Sequence, residues 1–593
     1  MDNPKTHQAA SVAAETTGWK IMLPVVGLLG WLLTWPALAQ TGALPALQIT
    51  ASNGVATVSW PVTAYEDILQ TTTDLSPAGT WTNLVTGDQI IAAYTFYAVG
   101  GTPAYLTNVF GDQIVFSLPA TNGQQFYRLV SPQFIPACGF AVFYNGLLEF
   151  SMCAPMVVNG RVHANGPIDV GTISSSSLTF NAPVTTTSNL AAPYMDGATA
   201  GTIGVWNPAD SSAWNTTFNG NPGYITNVAS LAIPLLNSTN YHLLIDIPTS
   251  RQTGANANIS TNAQMLYNQA EMVLLVTNST SGTNPAVTVI LQAPLNGNQP
   301  GNDPNPTTLY YTNASPASLS TNLPFLTLTN TMYDDRESNT NTFTQIDVAK
   351  LATWLTTSIN VQNKLPASSG VYPTILYVAD RRTQNSQKLP SVRLMDAAQL
   401  PANNGLGFTV ATPNPLYVQG NYNTQTTAGS SLGTNNAYEV PAALLSDALT
   451  ILSPNWTDNK GALAYTTSGS TFTASTMTIN AAIVTGTVPS TGASTTTFSG
   501  GVHNLPRMLE NWTGVNLYLN TSIIRLWDSQ MATNQWKYQG TYYNPPNRFF
   551  SFDNNYLDPA KVPPGIPVAL VPLRFAWTVP PPATINWTNW THN

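Results

Sequence analysis

Two clusters of acidic and basic residues are the densest potential chemistry in this chain, at 333–337 and 380–382. A site that cleaves polysaccharide could draw on Asp334, Asp335, Arg336, Asp380 and Arg381. Such a site needs two carboxyl groups, because one protonates the glycosidic oxygen while the other acts as base or nucleophile. The alternative is that these residues form Asp–Arg pairs that fix one segment of the fold against another, which their opposite charges favour.

Aromatic side chains among neutral polar residues are a second candidate site. A glycan offers apolar C–H faces to aromatic rings, and its hydroxyl groups bond to amides, which both donate and accept. The alternative is that these rings pack in the core or anchor loops. The candidates for carbohydrate contact are Tyr417, Tyr422, Trp536 and Tyr538.

Other patterns that carry chemistry are missing from the sequence. It contains no His-Glu-x-x-His pair and no Gly-Lys-Ser/Thr phosphate loop. We therefore expect no metal site and no cofactor, and whether the protein is an enzyme stays open, with non-catalytic roles favoured. His163 is expected on an outward, solvated face. Cys138 and Cys153 could form a disulfide in an oxidising compartment, or remain thiols in separate buried strands.

The composition limits the partners of the chain. Charged residues make up 8% of its 593 residues, and the net charge is −8, whereas an average domain has roughly 25% charged residues. Asn, Thr, Ser and Gln take their place. Because nucleic-acid binding depends on Lys and Arg that neutralise phosphates, we expect no nucleic-acid partner.

Residues 1–39 are typical of an export signal peptide. Lys20 precedes an apolar run, 21–35, and Ala37-Leu38-Ala39 forms a small-x-small cleavage pattern. The run is short for a helix that spans a bilayer, which needs about 20 residues. The alternative is an uncleaved anchor. We expect an exported protein, extracellular, on the cell surface or periplasmic, without a stable transmembrane span after cleavage.

The elements that must position these residues are mostly strands. Residues 45–131 predict a small all-β domain, because Asn53-Gly54 is a tight-turn signal between two alternating strands. The pieces VATVSW, ILQTTTDLSPAGTWTNL and QQFYRLV resemble immunoglobulin- or fibronectin-like modules, which implies a β-sandwich-like fold for this domain.

Short alternating strands broken by glycine recur at 158–171 and 415–423, and they predict the stacked rungs of a β-solenoid. An antiparallel sandwich is the alternative. We place the first solenoid segment at 139–234, an inserted α/β segment at 235–400, the second solenoid segment at 401–575 and a Pro/Asn-rich tail at 576–593. In the insertion, Asp347 should begin a helix. The end of the first segment is expected near the restart of the second.

An ordered set of blocks covers about 140–575: VNGRVHANGPIDVG with SLTFNAPVTTT, LYNQAEMVLLV, MYDDRES with QIDVAKLATWL, ILYVADRR, TPNPLYVQGNYN, LLSDALTILSPNW, INAAIVTG, SGGVHNLPRMLENWTG and YNPPNRFFSFDNNY. Together they resemble secreted bacterial surface proteins whose C-terminal region is similar to that of minor pilus-assembly proteins. The resemblance implies a β-helix-like envelope or adhesion protein without catalysis, whose partners are cell-surface polymers or other envelope proteins. A secreted polysaccharide lyase or hydrolase, or a carbohydrate-binding protein, is the alternative.

Overall fold

The protein is mainly β, as the sequence predicted. The computed structural model describes residues 47–578 with internal gaps, all within one compact unit, Gly42–Asn593. The predicted export signal lies outside the described residues. The gaps are 53–54, 62–67, 74–81, 84–108, 111–112, 120–125, 154–155, 174–177, 189, 192–202, 206–223, 234–238, 249–263, 281, 294–299, 366–372, 402–404, 434–438, 463–472, 491–500, 503–504 and 537–541.

The strands of the described residues are numbered in chain order. They are β1 (Gln48–Ser52), β2 (Val55–Pro61), β3 (Ile68–Thr72), β4 (Thr82–Asn83), β5 (Val109–Phe110), β6 (Gln113–Pro119), β7 (Phe126–Pro136), β8 (Val142–Tyr144), β9 (Leu148–Cys153), β10 (Met156–Val158), β11 (Val162–Ala164), β12 (Ile168–Ile173), β13 (Leu178–Phe180), β14 (Val184–Thr186), β15 (Leu190–Ala191), β16 (Ile203–Val205), β17 (Tyr224–Ile225), β18 (Met272–Thr277), β19 (Ala286–Leu291), β20 (Thr307–Tyr311), β21 (Leu326–Thr327), β22 (Thr331–Asp334), β23 (Asn339–Asp347), β24 (Ile375–Asp380), β25 (Lys388–Met395), β26 (Phe408–Gln419), β27 (Ala442–Leu452), β28 (Met477–Asn480), β29 (Ala482–Thr485), β30 (Arg507–Met508), β31 (Asn516–Thr521), β32 (Ile523–Arg525), β33 (Asn547–Phe552) and β34 (Val568–Thr578).

Helices are short and lie mostly in the middle of the chain. Asp347 begins α3 as predicted, since its side chain accepts a hydrogen bond from the backbone N–H of Lys350. No helix of the described residues has the length and apolarity needed to cross a membrane. The α-helices are α1 (Leu266–Gln269), α2 (Pro316–Asn322), α3 (Val348–Thr357) and α4 (Ile359–Lys364), and the 3₁₀ turns are Ala137–Gly139, Tyr241–Leu244, Pro300–Asn302, Asp458–Ala462, Asn554–Leu557 and Pro559–Lys561.

The largest sheet is a stack of parallel strands. Its order is β17, β14, β11, β8, β32, β29, β27, β26, β24 and β18, with every neighbouring pair parallel. Beyond β18, the antiparallel strands β19 and β20 extend it. One buried aliphatic side chain from each strand from β18 to β14 forms a continuous ladder: Met272, Leu376, Val410, Leu444, Ile483, Ile523, Val142, Val162 and Val184.

The chain runs through this stack twice in the same direction. The first run goes from β8 to β17 at one end, and the second goes from β18 at the opposite end to β32. The two runs join where Val142 of β8 lies opposite Ile523 of β32. The start of the first predicted segment therefore meets the end of the second, which corrects the expectation that the end of the first lies near the restart of the second.

Further sheets share the long strands β26 and β27. Their first halves lie in the large stack, while their second halves pair with β25 and β30, with an irregularity between Thr412 and Pro415. β25 also pairs with β23, and β23 pairs with β22. Strands β18, β23, β24 and β25 of the predicted insertion are thus hydrogen-bonded directly into the sheets of the second predicted segment. A third sheet has the order β28, β31, β33.

The N-terminal strands form antiparallel sheets. Within the described residues their orders are β1-β2-β6-β5 and β34-β7-β3-β4. The last strand, β34, pairs along most of β7. The predicted tail begins at 576, but β34 continues to Thr578, so the first residues of that tail belong to a sheet.

Two residues of the 158–171 stretch lie in close packing. A Cβ on Gly160 would lie 2.7 Å from Cδ1 of Phe552, so this glycine allows a close approach. His163 is buried instead of solvated. Its Nδ1 lies 2.7 Å from Oγ1 of Thr185 and its ring stacks on Phe143, because both faces of β11 are covered.

Candidate functional site

In the first acidic cluster, Asp334 is buried and both of its carboxylate oxygens accept hydrogen bonds. Asp334 Oδ2 accepts a 2.6 Å hydrogen bond from the Tyr417 hydroxyl, and Oδ1 accepts from the backbone N–H of Glu337 at 3.0 Å. The Tyr417 hydroxyl also accepts from Asn341 Nδ2 at 2.9 Å. Asp335 is half-buried in the same turn. Since both oxygens of Asp334 are occupied, this carboxylate fixes the β22–β23 hairpin on β26 and is not poised to act as acid or base.

Arg336 lies beside a buried ion pair between Arg507 and Glu337. Glu337 Oε1 accepts from Arg507 Nη1 at 2.6 Å, and Oε2 accepts from the backbone N–H of Asn534 at 3.1 Å. Arg336 Nε lies 3.9 Å from Glu337 Oε1, which is beyond hydrogen-bonding distance. Burial and the neighbouring Arg507 charge lower the pKa of Arg336 to about 10.

In the second acidic cluster, Asp380 pairs with Arg382, which lies in that cluster but outside the five candidate site residues. Arg382 donates to Asp380 from Nη2 at 2.6 Å and from Nε at 3.0 Å, and Thr344 Oγ1 donates to Asp380 Oδ2 at 2.9 Å. Arg381 is exposed. Among the described residues, no hydrogen bond or ion pair joins Asp380 to Asp334 or Arg336. Asp334, Arg336 and Asp380 are buried, so these three residues do not face an open groove.

The predicted carbohydrate contacts lie in the core. Tyr417 is 1% exposed, Tyr422 is 0% exposed and Trp536 is 9% exposed. Tyr538 falls outside the described residues. A ring that is buried by its own fold has no free face for a sugar, which corrects the prediction for the first three.

The predicted disulfide is not formed. Cys138 is a buried free cysteine in a 3₁₀ turn, and the side chain of Cys153 falls outside the described ones. Burial raises the pKa of the Cys138 thiol far above its ordinary value. A thiol with so little thiolate character is a poor nucleophile.

A histidine bridges two carboxylates inside the fold. His242 Nδ1 lies 2.8 Å from Asp246 Oδ1, and Nε2 lies 3.4 Å from Asp447 Oδ1. Asp447 also accepts from the backbone N–H groups of Met531 and Ala532. Burial by itself would lower the pKa of His242, but the hydrogen bonds and charges of the two carboxylates outweigh it and raise the pKa to about 9. The protonated ring therefore holds a loop, and it is not poised to exchange a proton near neutral pH.

Two aromatic side chains that the sequence analysis did not select are exposed side by side. Tyr518 on β31 is 37% exposed and Phe549 on β33 is 49% exposed. Their rings are stacked, with centroids 4.8 Å apart and an interplanar angle of 18°. Each ring covers one face of the other, so the exposed area includes the opposite faces and edges of the rings.

Neutral polar side chains flank this pair along both strands. Asn516 Nδ2 donates to the Tyr518 hydroxyl at 3.1 Å and Asn547 Nδ2 donates to Asn516 Oδ1 at 3.0 Å. Ser551 Oγ lies 3.1 Å from Asn520 Oδ1 on the other side. Because alternate residues of a strand share a face, these side chains and the two rings form one surface. We call it the aromatic strip: Asn516, Tyr518, Asn520, Asn547, Phe549 and Ser551.

A small cavity of about 40 Å³ lies between β33 and β10, beside the strip. Its lining includes Ser551 and Val157, and Val157 is 50% exposed. The aromatic strip therefore combines an apolar ring surface, amide groups and a neighbouring depression, which is the chemistry that recognises a neutral sugar.

The sequence contains a signal for this strip. In NLYLN, Leu517 and Leu519 are buried, so the alternation turns Tyr518 outward.

In the described part of the chain, no group of His, Cys, Asp and Glu could hold a metal ion. Comparisons with protein-family models, curated proteins and solved structures found no match.

Proposed function

We propose that this protein is an exported scaffold of the bacterial cell envelope that adheres to neutral glycans without catalysis. In this proposal the parallel sheets form a β-solenoid, and the N-terminal sheets form a sandwich-like module. Secretion follows from the predicted signal 1–39, and a relationship to pilus-associated surface proteins follows from the blocks between 140 and 575.

The continuous parallel stack supports the scaffold role. Its rungs are joined by regular pairing from β17 to β18, and the aliphatic ladder runs through the point where the two passes of the chain meet. The side chains of this ladder are buried, so neighbouring strands support one another as neighbouring repeats do in repeat proteins.

The state of the carboxylates favours a role without catalysis. Asp334 and Asp380 are buried, and every one of their oxygens accepts hydrogen bonds within the fold. A glycosidase of the common type needs two carboxyl groups that face the substrate. The polysaccharide-active alternative therefore has little support from these residues.

The aromatic strip is the observation that carries the glycan-binding proposal. A sugar places its C–H face on an aromatic ring, and its hydroxyl groups can replace water on Asn516, Asn520 and Asn547. A charged glycan would need protein charges to compensate for its lost solvation, and the chain has few of them. A neutral glycan therefore suits this surface better.

A glycan array with the full chain, followed by calorimetry with the best neutral ligand, tests the proposal. Phe549→Ala should weaken binding about tenfold, because covering a Phe ring contributes about 1.5 kcal/mol or more. Tyr518→Ala should act similarly. Tyr310→Ala is the matched control, since Tyr310 is 72% exposed on β20, away from the strip, and it should bind as wild type does.

Equal affinity of the Phe549→Ala and Tyr310→Ala variants would remove the strip from the proposal. Fractionation of the native cells tests export separately, and detection in the cytoplasm alone would contradict it. Release of sugar products from any polysaccharide, lost in Asp334→Asn or Asp380→Asn variants that stay folded, would establish the enzymatic alternative.

A further inference from the structure

A cavity lined by three arginines lies where the two passes of the chain meet. It has a volume of about 60 Å³. Arg336 reaches it from the β22–β23 turn, Arg507 from β30 and Arg525 from the end of β32. Tyr144, from the end of β8, lines it too. The cavity is therefore built jointly by the first pass, the second pass and the β22–β23 hairpin.

Two of the guanidinium groups are held in place by the fold. Arg507 donates from Nη1 to Glu337, and from Nη2 to the backbone carbonyl of Ala532 at 2.8 Å. Arg525 donates to the backbone carbonyl of Asn145 and to Asp528. A side chain on Gly146 would collide with Arg525, because its Cβ would lie 2.8 Å from Nη1. The positive charges are thus pre-positioned.

Two hydrogen-bond donors of these buried arginines have no acceptor in the described part of the chain. The Nε atoms of Arg336 and Arg525 are buried, and neither has a hydrogen-bond partner among the described residues. Arg336 is 5% exposed, so water outside the protein does not solvate it. A buried charged donor without a partner costs free energy, which an acceptor in the cavity would recover.

Two of the three carboxylates nearby, Glu337 and Asp528, are bonded to arginines. Glu337 bonds to Arg507 and to the backbone of Asn534. Glu149 lines the cavity, and one of its carboxylate oxygens, Oε2, accepts a 2.7 Å hydrogen bond from Ser490 Oγ. Asp528 bonds to Arg525 at the surface. Glu337 already accepts from two other donors, and its Oε1 lies 3.9 Å from Arg336 Nε. The Nε donors of Arg336 and Arg525 are therefore available to another anion.

The size of the cavity restricts the ligand. A cavity of about 150 Å³ holds a benzene molecule, so one of about 60 Å³ admits a single small polyatomic ion and no complete sugar ring. Guanidinium groups match the oxygens of sulfate and phosphate because their N–H donors form a planar fork.

We propose that this cavity, lined by Arg336, Arg507 and Arg525, is a binding site for one small oxyanion of the sulfate or phosphate class, free or as the ester group of a larger molecule. The ion would bridge the two passes of the chain and the β22–β23 hairpin. The site is independent of the aromatic strip, so either can fail without the other.

Calorimetric titration of the full chain with sodium sulfate and with sodium phosphate, in chloride buffer of constant ionic strength, tests the site. Wild type should bind at least one of them saturably with a stoichiometry of one. Arg336→Gln should weaken that binding at least tenfold. Arg381→Gln removes an exposed arginine elsewhere and should leave it unchanged. A saturable signal that is equal in both variants would overturn the proposal, and so would no saturable binding of either ion by wild type.

A second experiment does not depend on the variants. Crystals grown without sulfate and soaked in selenate should show an anomalous peak between Arg336 and Arg525, and an empty cavity would overturn the proposal. Titration with galactose 6-sulfate distinguishes the two sources of the ion. Binding as tight as that of free sulfate indicates an ester group as the ligand, whereas much weaker binding indicates the free ion.

Discussion

Tyr417→Phe tests whether the Asp334 network is structural. The hydroxyl of Tyr417 donates to Asp334 Oδ2 at 2.6 Å and accepts from Asn341 Nδ2 at 2.9 Å, in the buried interior. Phenylalanine keeps the ring and its packing against Phe343. It removes both hydrogen bonds and leaves a carboxylate oxygen and an amide N–H without these partners.

The expected loss can be worked from these contacts. A hydrogen bond to a charged group contributes about 1.5–3 kcal/mol, and a buried polar group without a partner costs a similar amount, so the variant should lose about 2.5 kcal/mol of unfolding free energy. A folded unit of about 550 residues has an unfolding entropy of about 1.1 kcal/mol/K, so Tm should fall by roughly 2 °C.

Differential scanning calorimetry resolves a shift of this size. Tyr310→Phe is the control, because it removes a hydroxyl from a residue that is 72% exposed, and its Tm should not change. The double variant Tyr417→Phe with Asp334→Asn should be less destabilised than the sum of the single variants. A Tyr417→Phe melting curve that overlays the wild-type curve would refute the structural account. Weaker glycan binding by a folded Tyr417→Phe variant would restore the predicted contact role.

Three other positions give independent predictions. The folded-state pKa of His242 is about 9 against 6.5 for the unfolded chain. Its protonation therefore contributes up to about 3 kcal/mol to the unfolding free energy, fully below pH 6.5 and progressively less as pH rises through 9. Calorimetry from pH 6 to 10 should show a fall in Tm that is much smaller in His242→Gln. Gly160→Val should lose about 1–3 kcal/mol through its collision with Phe552, measured by urea denaturation, and a variant as stable as wild type would contradict the close packing. Cys138 is buried and free, so peptide mapping after iodoacetamide treatment should find it modified in urea and unmodified in the native protein.

Much of the secondary structure could be predicted from the sequence. In the sequence, 272–277, 443–452 and 477–485 are apolar runs typical of strands, and in the structure they form β18, β27, and β28 with β29. Asp347 begins its helix because its side-chain acceptor satisfies a free N–H group, which is a local effect. Period-two alternation is local in the same sense, so these elements were accessible without knowledge of the rest of the chain.

The candidate sites could not be predicted in the same way. Tyr417 and Tyr518 both stand in alternating strands, but Tyr417 packs under the β22–β23 hairpin and Tyr518 faces solvent. Alternation separates the two faces of a strand and does not tell which face another element covers. His163 shows the same limit, since it lies on the second face of β11 and that face is covered as well.

The sequence by itself determined that the protein is mainly β, that it has few charged residues and that short strands recur with glycines between them. Only the tertiary structure decided that β8 stacks on β32, that the predicted acidic residues are fixed in separate buried networks and that three arginines share one cavity. The reason is that parallel pairing joins residues such as Val142 and Ile523, which are hundreds of positions apart and carry no mark of their partner. Aliphatic side chains fit any strand of the stack. The order of the strands, and with it the exposure of the polar and aromatic groups, is therefore set by how the whole chain packs.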